Sequence, residues 1–207
     1  MPVGDLERNM VVYRLPSGEL LLHSVIAMNE GGMRSLEALG KPAFMVVPHG
    51  GHRLDATFYK ERYPELRVFA PAAARAKVDE IIKTDAAEED ALPSLGIGVY
   101  KIDGLKPTFG ENALVVNVRD GKALILNDLL WGKEIGGNFL IRLLGTSDGE
   151  LGLPRAVKWA SVADKDAVKA SLQRLAEIPD LELLTVSHGS PIRGQVAEGI
   201  REAALHV

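Results

Sequence analysis

Two histidines three residues apart, His49 and His52, lie in the stretch Val46-Val47-Pro48-His49-Gly50-Gly51-His52-Arg53-Leu54-Asp55, just past the apolar run Ala43-Phe44-Met45. The whole chain has only five histidines. A third, His188, stands in Ser187-His188-Gly189-Ser190-Pro191 after the apolar Leu183-Leu184-Thr185-Val186, and Ala123-Leu124-Ile125-Leu126 runs into Asn127-Asp128. Imidazoles and carboxylates delivered at the ends of apolar strands suit a divalent cation, and about three such ligands with one open position suit zinc catalysis. The chain contains no cysteine, so disulfides and thiolate sites are excluded and any metal must be held by nitrogen and oxygen.

His52, Asp128 and His188 are the candidate metal ligands, with His49 as a fourth. A metal so held would bring the pKa of bound water from ~15.7 toward ~7. Asp55 is the candidate catalytic base, able to orient that water and take its proton. Zinc is the first choice of metal, and iron or manganese would accept the same ligands. Arg53 is the candidate substrate-binding residue. A guanidinium beside a dication is repelled unless it turns away, pairs with Asp55 or receives an anionic substrate group. Plainer readings exist. His49 between proline and glycine suits an exposed turn, His23 suits a core or strand-end histidine, and Gly110-Glu111 suits an ordinary hairpin. Trp131 and Trp159 suit the core or an interface.

The elements that must position these groups can be read from patterning. Val11 to Leu15 and Glu19 to Ile26 form strands joined at Pro16-Ser17-Gly18. Met33 to Leu39 suits a short helix stopped at Gly40, and Ala43 to Val47 a strand covered on both faces. Leu54 to Tyr63 reads as a helix ended by Pro64, Leu66 to Ala70 as a strand, and Ala72 to Ile82 as a helix. The acidic piece Asp85 to Asp90 reads as a solvated connection. Strands follow over Val99 to Ile102, Ala113 to Val118 and Ala123 to Leu126, the last two joined at Asp120-Gly121. Leu129 to Trp159 is apolar and glycine-rich, and its 129–144 part is a candidate homo-oligomer surface. A helix over Asp166 to Ile178, a strand over Glu182 to Val186 and a helix over Gly194 to Leu205 close the chain.

No fixed-period repeat is visible. With 207 residues, 46% of them hydrophobic and 25% charged, the chain is expected to form one globular domain spanning 1–207. Two sheets face to face with helices outside, a layered α/β arrangement, fit the element order. A net charge of -4 without a basic cluster excludes nucleic acid as a partner. No signal peptide and no run of ~20 apolar residues is present, so no membrane is expected and the cytoplasm is the expected location.

From roughly Tyr13 to Arg193 the chain resembles the metallo-β-lactamase-fold superfamily. That family places a His-x-His-x-Asp-His cluster after one strand, a histidine in a His-Thr-Pro-Gly-like turn, a bridging Asp after a hairpin strand and a Gly-His-Gly after a late strand. Here the cluster is stretched to His49-Gly50-Gly51-His52-Arg53-Leu54-Asp55-Ala56, with alanine in the last ligand position. The middle turn reads Pro107-Thr108-Phe109-Gly110, with proline in place of imidazole, while Asp128 and His188 match the later ligands. The phrase Gly18-Glu19-Leu20-Leu21-Leu22-His23-Ser24, and His52 followed by Tyr63-Pro64, resemble a divergent branch more than the β-lactamases. The resemblance implies a four-layer αββα sandwich and hydrolysis of a small-molecule substrate by one or two metals. A full dinuclear cage cannot be assembled from the family's own positions. Two readings stay open: a metal-dependent hydrolase with a single-metal site, acting on a small ester, thioester, lactone, amide or phosphoester; or a metal-free relative that serves as a binding or assembly module.

Overall fold

A computed structural model describes residues 7–133, 145 and 151–207. The chain forms two compact units, one of Met10–Leu95 with Pro107–Gly110, the other of the remaining described residues.

The first unit is a five-stranded sheet ordered β1 (Val11–Arg14), β2 (Glu19–His23), β3 (Lys41–Val46), β4 (Arg67–Ala70), β5 (Ala86–Ala87). Only β1–β2 is antiparallel, closed by the expected turn, where Gly18 N donates to Leu15 O. The other pairs are parallel, which sets the C-terminal ends of β2, β3 and β4 along one edge. Helices α1 (Glu30–Leu39) and α2 (Ala56–Arg62) send Met33, Leu36, Ala56 and Tyr59 into a core with Leu20, Leu22, Met45, Val47, Val68 and Ala70. The alternate residues Leu21, Phe44, Val46 and Phe69 are buried as well, so β2–β4 are covered on both faces. Helix α1 starts earlier than its apolar pattern indicates. Asn29 Oδ1 accepts from Gly32 N at 2.9 Å, and this cap draws Gly31 and Gly32 into the first turn.

Two expectations for this unit need correction. Only Arg75–Val78 (α3) of the Ala72 to Ile82 stretch is helical, because Asp79 Oδ1 accepts from Thr84 N and Oγ1 and turns the chain instead. The acidic piece after it is not a solvated connection. Asp85 accepts from Val68 N at 2.7 Å, Ala86–Ala87 adds the edge strand, and Glu88 is buried at the head of α4 (Glu88–Ala91).

The second unit is a sheet ordered β10 (Ile192–Arg193), β9 (Leu181–Thr185), β8 (Gly121–Ile125), β7 (Asn112–Val118), β6 (Gly98–Lys101). The Asp120-Gly121 hairpin pairs β7 with β8 antiparallel, whereas β8 and β9 run parallel with Ile125 opposite Thr185. That parallel pair brings two strand ends together. Helix α5 (Arg155–Ser161) precedes α6 (Lys165–Ala176), whose N-cap Asp164 accepts from Ala167 N, and α6 packs against α7 (Val196–Leu205). In the proposed oligomer segment Leu129, Leu130 and Trp131 are buried, and 134–144 lie outside the described residues. Trp159 is 86% exposed, so it is no part of this chain's core. Among the described residues no helix is long and apolar enough to cross a membrane.

Candidate metal centre

His23 pairs with Val46 across β2 and β3, so Ser24 and the His49–Asp55 loop leave the sheet at one edge. Ser24 adopts φ 57, a left-handed conformation uncommon for a residue with a side chain. Its N–H donates to Val46 O at 3.1 Å, and its Oγ lies 2.7 Å from His52 Nδ1. A hydroxyl both donates and accepts, so this contact orients the His52 ring through Nδ1, as partners of metal-binding imidazoles do. His23 is fully buried beside this group. Burial, reinforced by repulsion from His52 and then His49, lowers its pKa to about 3 and keeps it neutral.

His49 is buried, not an exposed turn residue. Its Nδ1 accepts from Gly51 N at 3.0 Å, and its ring stacks on Phe109 with centroids 4.4 Å apart and planes 20° apart. A Cβ on residue 51 would sit 2.8 Å from His49 Cε1, so this close approach requires glycine. The rings of His49 and His52 are tilted at 5.0 Å, and each offers a ring nitrogen within 4.8 Å of the other's. The turn Pro107–Phe109, where the resemblance places an imidazole, thus contributes an aromatic wall. Arg53 does not pair with Asp55 among the bonds seen here. Its Nη1 donates to Glu80 at 2.8 Å and to Lys77 O. Asp55 holds the N-cap position of α2, half-buried, without capping the helix through its side chain.

In the other unit, parallel pairing of β8 with β9 carries Asn127-Asp128 and Ser187-His188 out at the same end. Asn127 O accepts from Ser187 N, and the single Ser187 Oγ proton lies between Asn127 O and Asp128 Oδ1. Beneath them lies Glu111, a buried carboxylate that accepts from the backbone N–H groups of Asn127, Asp128 and Leu129, the last two at 3.0 Å. It holds the Asp128 turn in place. Gly189 follows His188 at φ 84, where a Cβ would meet Lys133 O at 2.6 Å. Trp131 packs on the His188 ring with centroids 4.7 Å apart.

The two sides of His188 decide its chemistry. Nδ1 lies 2.7 Å from Glu7 O, a carbonyl that can only accept, so Nδ1 carries the proton. Nε2 faces Asp128 Oδ1 at 3.4 Å. A proton on Nε2 or a divalent cation between the two atoms would each reconcile them. Within this unit His188 and Asp128 offer nitrogen and oxygen, as a borderline divalent metal prefers, and each has a further partner that orients it. The residues fit such a group.

Sequence reasoning missed Ser24, Ser187 and Glu7, and it read Glu111 as part of an ordinary hairpin. Ser187 adjoins His188, and that adjacency was a usable signal. Ser24 and Glu111 act on residues 28 and 16 or more positions away, so no local pattern marks them.

No protein-family model matches the sequence, and no curated protein matches it. Solved structures do. DIM-1 metallo-β-lactamase is 13% identical with TM-score 0.66, over 97% of this chain and 88% of that one. The metallo-β-lactamase of Erythrobacter litoralis is 13% identical with TM-score 0.64, over 97% and 86%. TTHA1623 in a di-iron-bound form is 19% identical with TM-score 0.60, over 93% of each chain. The chain has the metallo-β-lactamase fold, in a divergent sequence.

Proposed function

We propose that this chain is a metal-dependent hydrolase with a reduced, single-metal centre, in which His52, Asp128 and His188 are ligands. The substrate class is a small ester, thioester, lactone, amide or phosphoester. The observation that carries the reading is His188, whose Nδ1 is tied to Glu7 O while Nε2 faces the Asp128 carboxylate. Likeness to enzymes of this fold, running through both units, supports it. Zinc is the first choice of metal, and the di-iron form of TTHA1623 keeps iron in view. When bound, the metal supplies Lewis acidity and a more acidic water.

The chain's own residues do the rest. Ser24 orients the His52 ring through Nδ1, and Glu7 O takes the Nδ1–H of His188. Glu111 and Ser187 hold Asp128 in place. Asp55, half-buried at the head of α2, serves as proton acceptor, and Arg53, braced by Glu80, orients an anionic part of the substrate. Residues 1–207 act as one domain. A panel of ester, thioester, lactone, amide and phosphodiester substrates, assayed with zinc, iron or manganese restored, tests the reading. Hydrolysis of at least one class that a chelator abolishes is expected; no turnover on any class, with metal bound, would remove the enzyme assignment.

The metal-free binding module is favoured by one observation, Phe109 stacked on His49 from the turn in which Pro107 replaces the family's imidazole. Protein that takes up no zinc, iron or manganese would select it.

A further inference from the structure

We infer that Asn9 is a positioning residue for His188: it straps the segment Glu7–Asn9 across the turn that carries the imidazole and so sets the aim of the ring. The inference rests on the metal-centre reading and adds to it a determinant that acts on the ligand only through another residue. Strand β9 ends at Thr185, so the carbonyls of Val186, Ser187, His188 and Gly189 must find partners beyond it, and the first three residues are buried. One residue supplies three of the four partners. Asn9 Nδ2 donates to Val186 O at 3.0 Å and to Gly189 O at 2.7 Å, and Asn9 N donates to Ser187 O at 2.7 Å. The fourth carbonyl, His188 O, accepts from Gly132 N at 2.8 Å. Carbonyls only accept, so the side-chain NH2 of Asn9 faces them and both of its hydrogens are used. Asn9 thus brackets His188 from both sides.

The same strap reaches the ring. Glu7 O, two residues before Asn9, meets His188 Nδ1 at 2.7 Å. Glu7 is exposed, so burial of its side chain does not hold that carbonyl in place, whereas Asn9 is half-buried and fixed by three bonds. A partner on the far nitrogen of a metal-binding imidazole orients it, and losing that partner costs about 10- to 100-fold in metal affinity. Alanine at position 9 removes both side-chain donors. Aspartate keeps the shape but turns a group that only accepts toward two carbonyls.

The test uses the full chain and zinc alone, on the wild type, Asn9→Asp, Asn9→Ala and His188→Ala. Asp164→Ala, which removes the α6 cap in the same unit, controls for stability lost elsewhere. Zinc affinity is read by competition with a chromophoric chelator. Exchange of the His188 Nδ1–H with water is read by proton NMR without metal, the signal being assigned by its loss in His188→Ala. Both Asn9 variants should bind zinc about 10- to 100-fold more weakly and exchange the ring proton at least about tenfold faster than wild type. Asp164→Ala should keep both within about threefold, because a cap lost on α6 leaves the strap intact. Asn9 variants that keep wild-type zinc affinity or wild-type ring-proton exchange overturn the inference, as does an Asp164→Ala that shifts both as far as they do. If Asn9→Asp does not fold, Asn9→Ala decides. If the wild type takes up no zinc, or His188→Ala takes it up equally, the metal-centre reading fails in its zinc form, and the ring-proton exchange alone decides whether Asn9 positions His188.

Discussion

Ser24 carries a backbone constraint and a side-chain task at the same position. Its φ of 57 costs a residue with a Cβ about 1–2 kcal/mol, and its Oγ meets His52 Nδ1 at 2.7 Å. Replacing Ser24 by alanine keeps the strain and loses the hydroxyl, and metal affinity should fall about 10- to 100-fold in a competition titration. Replacing it by glycine should lose the same affinity while leaving the fold about 1 kcal/mol more stable than the alanine variant, as read from urea midpoints. His23 yields a separate expectation. Its pKa is about 3 in the fold against an ordinary 6.5, so below 6.5 the unfolded chain binds a proton that the folded chain does not. The stability held above that pH is therefore lost as pH falls toward 3, by up to roughly 1.4 kcal/mol per pH unit. His23→Gln should flatten the wild-type slope by that amount in urea titrations between about pH 6 and pH 4. At this scale the strand-end positions of Asp128 and His188 were legible because each follows an apolar strand. The tautomers were not, since they depend on Glu7 O and Gly51 N, whose approach only the folded chain defines.

At the scale of elements, two parallel strand pairs place the chemistry. The β2–β3 pair sets Ser24 beside the His49–Asp55 loop, and the β8–β9 pair sets Asp128 beside His188. Strand and hairpin positions were legible from apolar runs and from Asp120-Gly121. The helix at Ala72 to Ile82 and the connection at Asp85 to Asp90 were misread because carboxylates of Asp79 and Asp85 bond backbone and hydroxyl groups that the patterning treats as helical or solvated. Glu111 is the element-scale counterpart of those two. It joins the start of β7 to the turn after β8 by accepting from three N–H groups. Glu111→Gln turns an amide donor toward those donors and should cost about 2–3 kcal/mol, measured as a lower urea midpoint with an unchanged m-value. An unaltered midpoint would deny Glu111 its clamping role.

For the whole molecule, the order of strands carried the fold across a sequence only 13% identical to a solved structure that covers 97% of this chain. The fold survives such divergence because apolar alternation and turn residues suffice to specify it, whereas function depends on a few side chains. Trp131 and Trp159 both belong to the unit with Glu111–Val207, while Tyr59 and Tyr63 belong to the other. If residues 1–207 are one domain, tryptophan fluorescence and far-ultraviolet circular dichroism should follow one urea transition with a common midpoint, and two separated transitions would make the units independent domains. The central claim is that this chain holds one divalent metal through His188 and its partners. The direct measurement is elemental analysis of protein purified without chelator or nickel resin and dialysed against zinc, iron or manganese, beside His188→Ala treated alike. About one metal per wild-type chain and less than about one-tenth per variant chain is the expected result. A wild type that stays below about one-tenth with every metal, or a variant that binds as fully as the wild type, would contradict it.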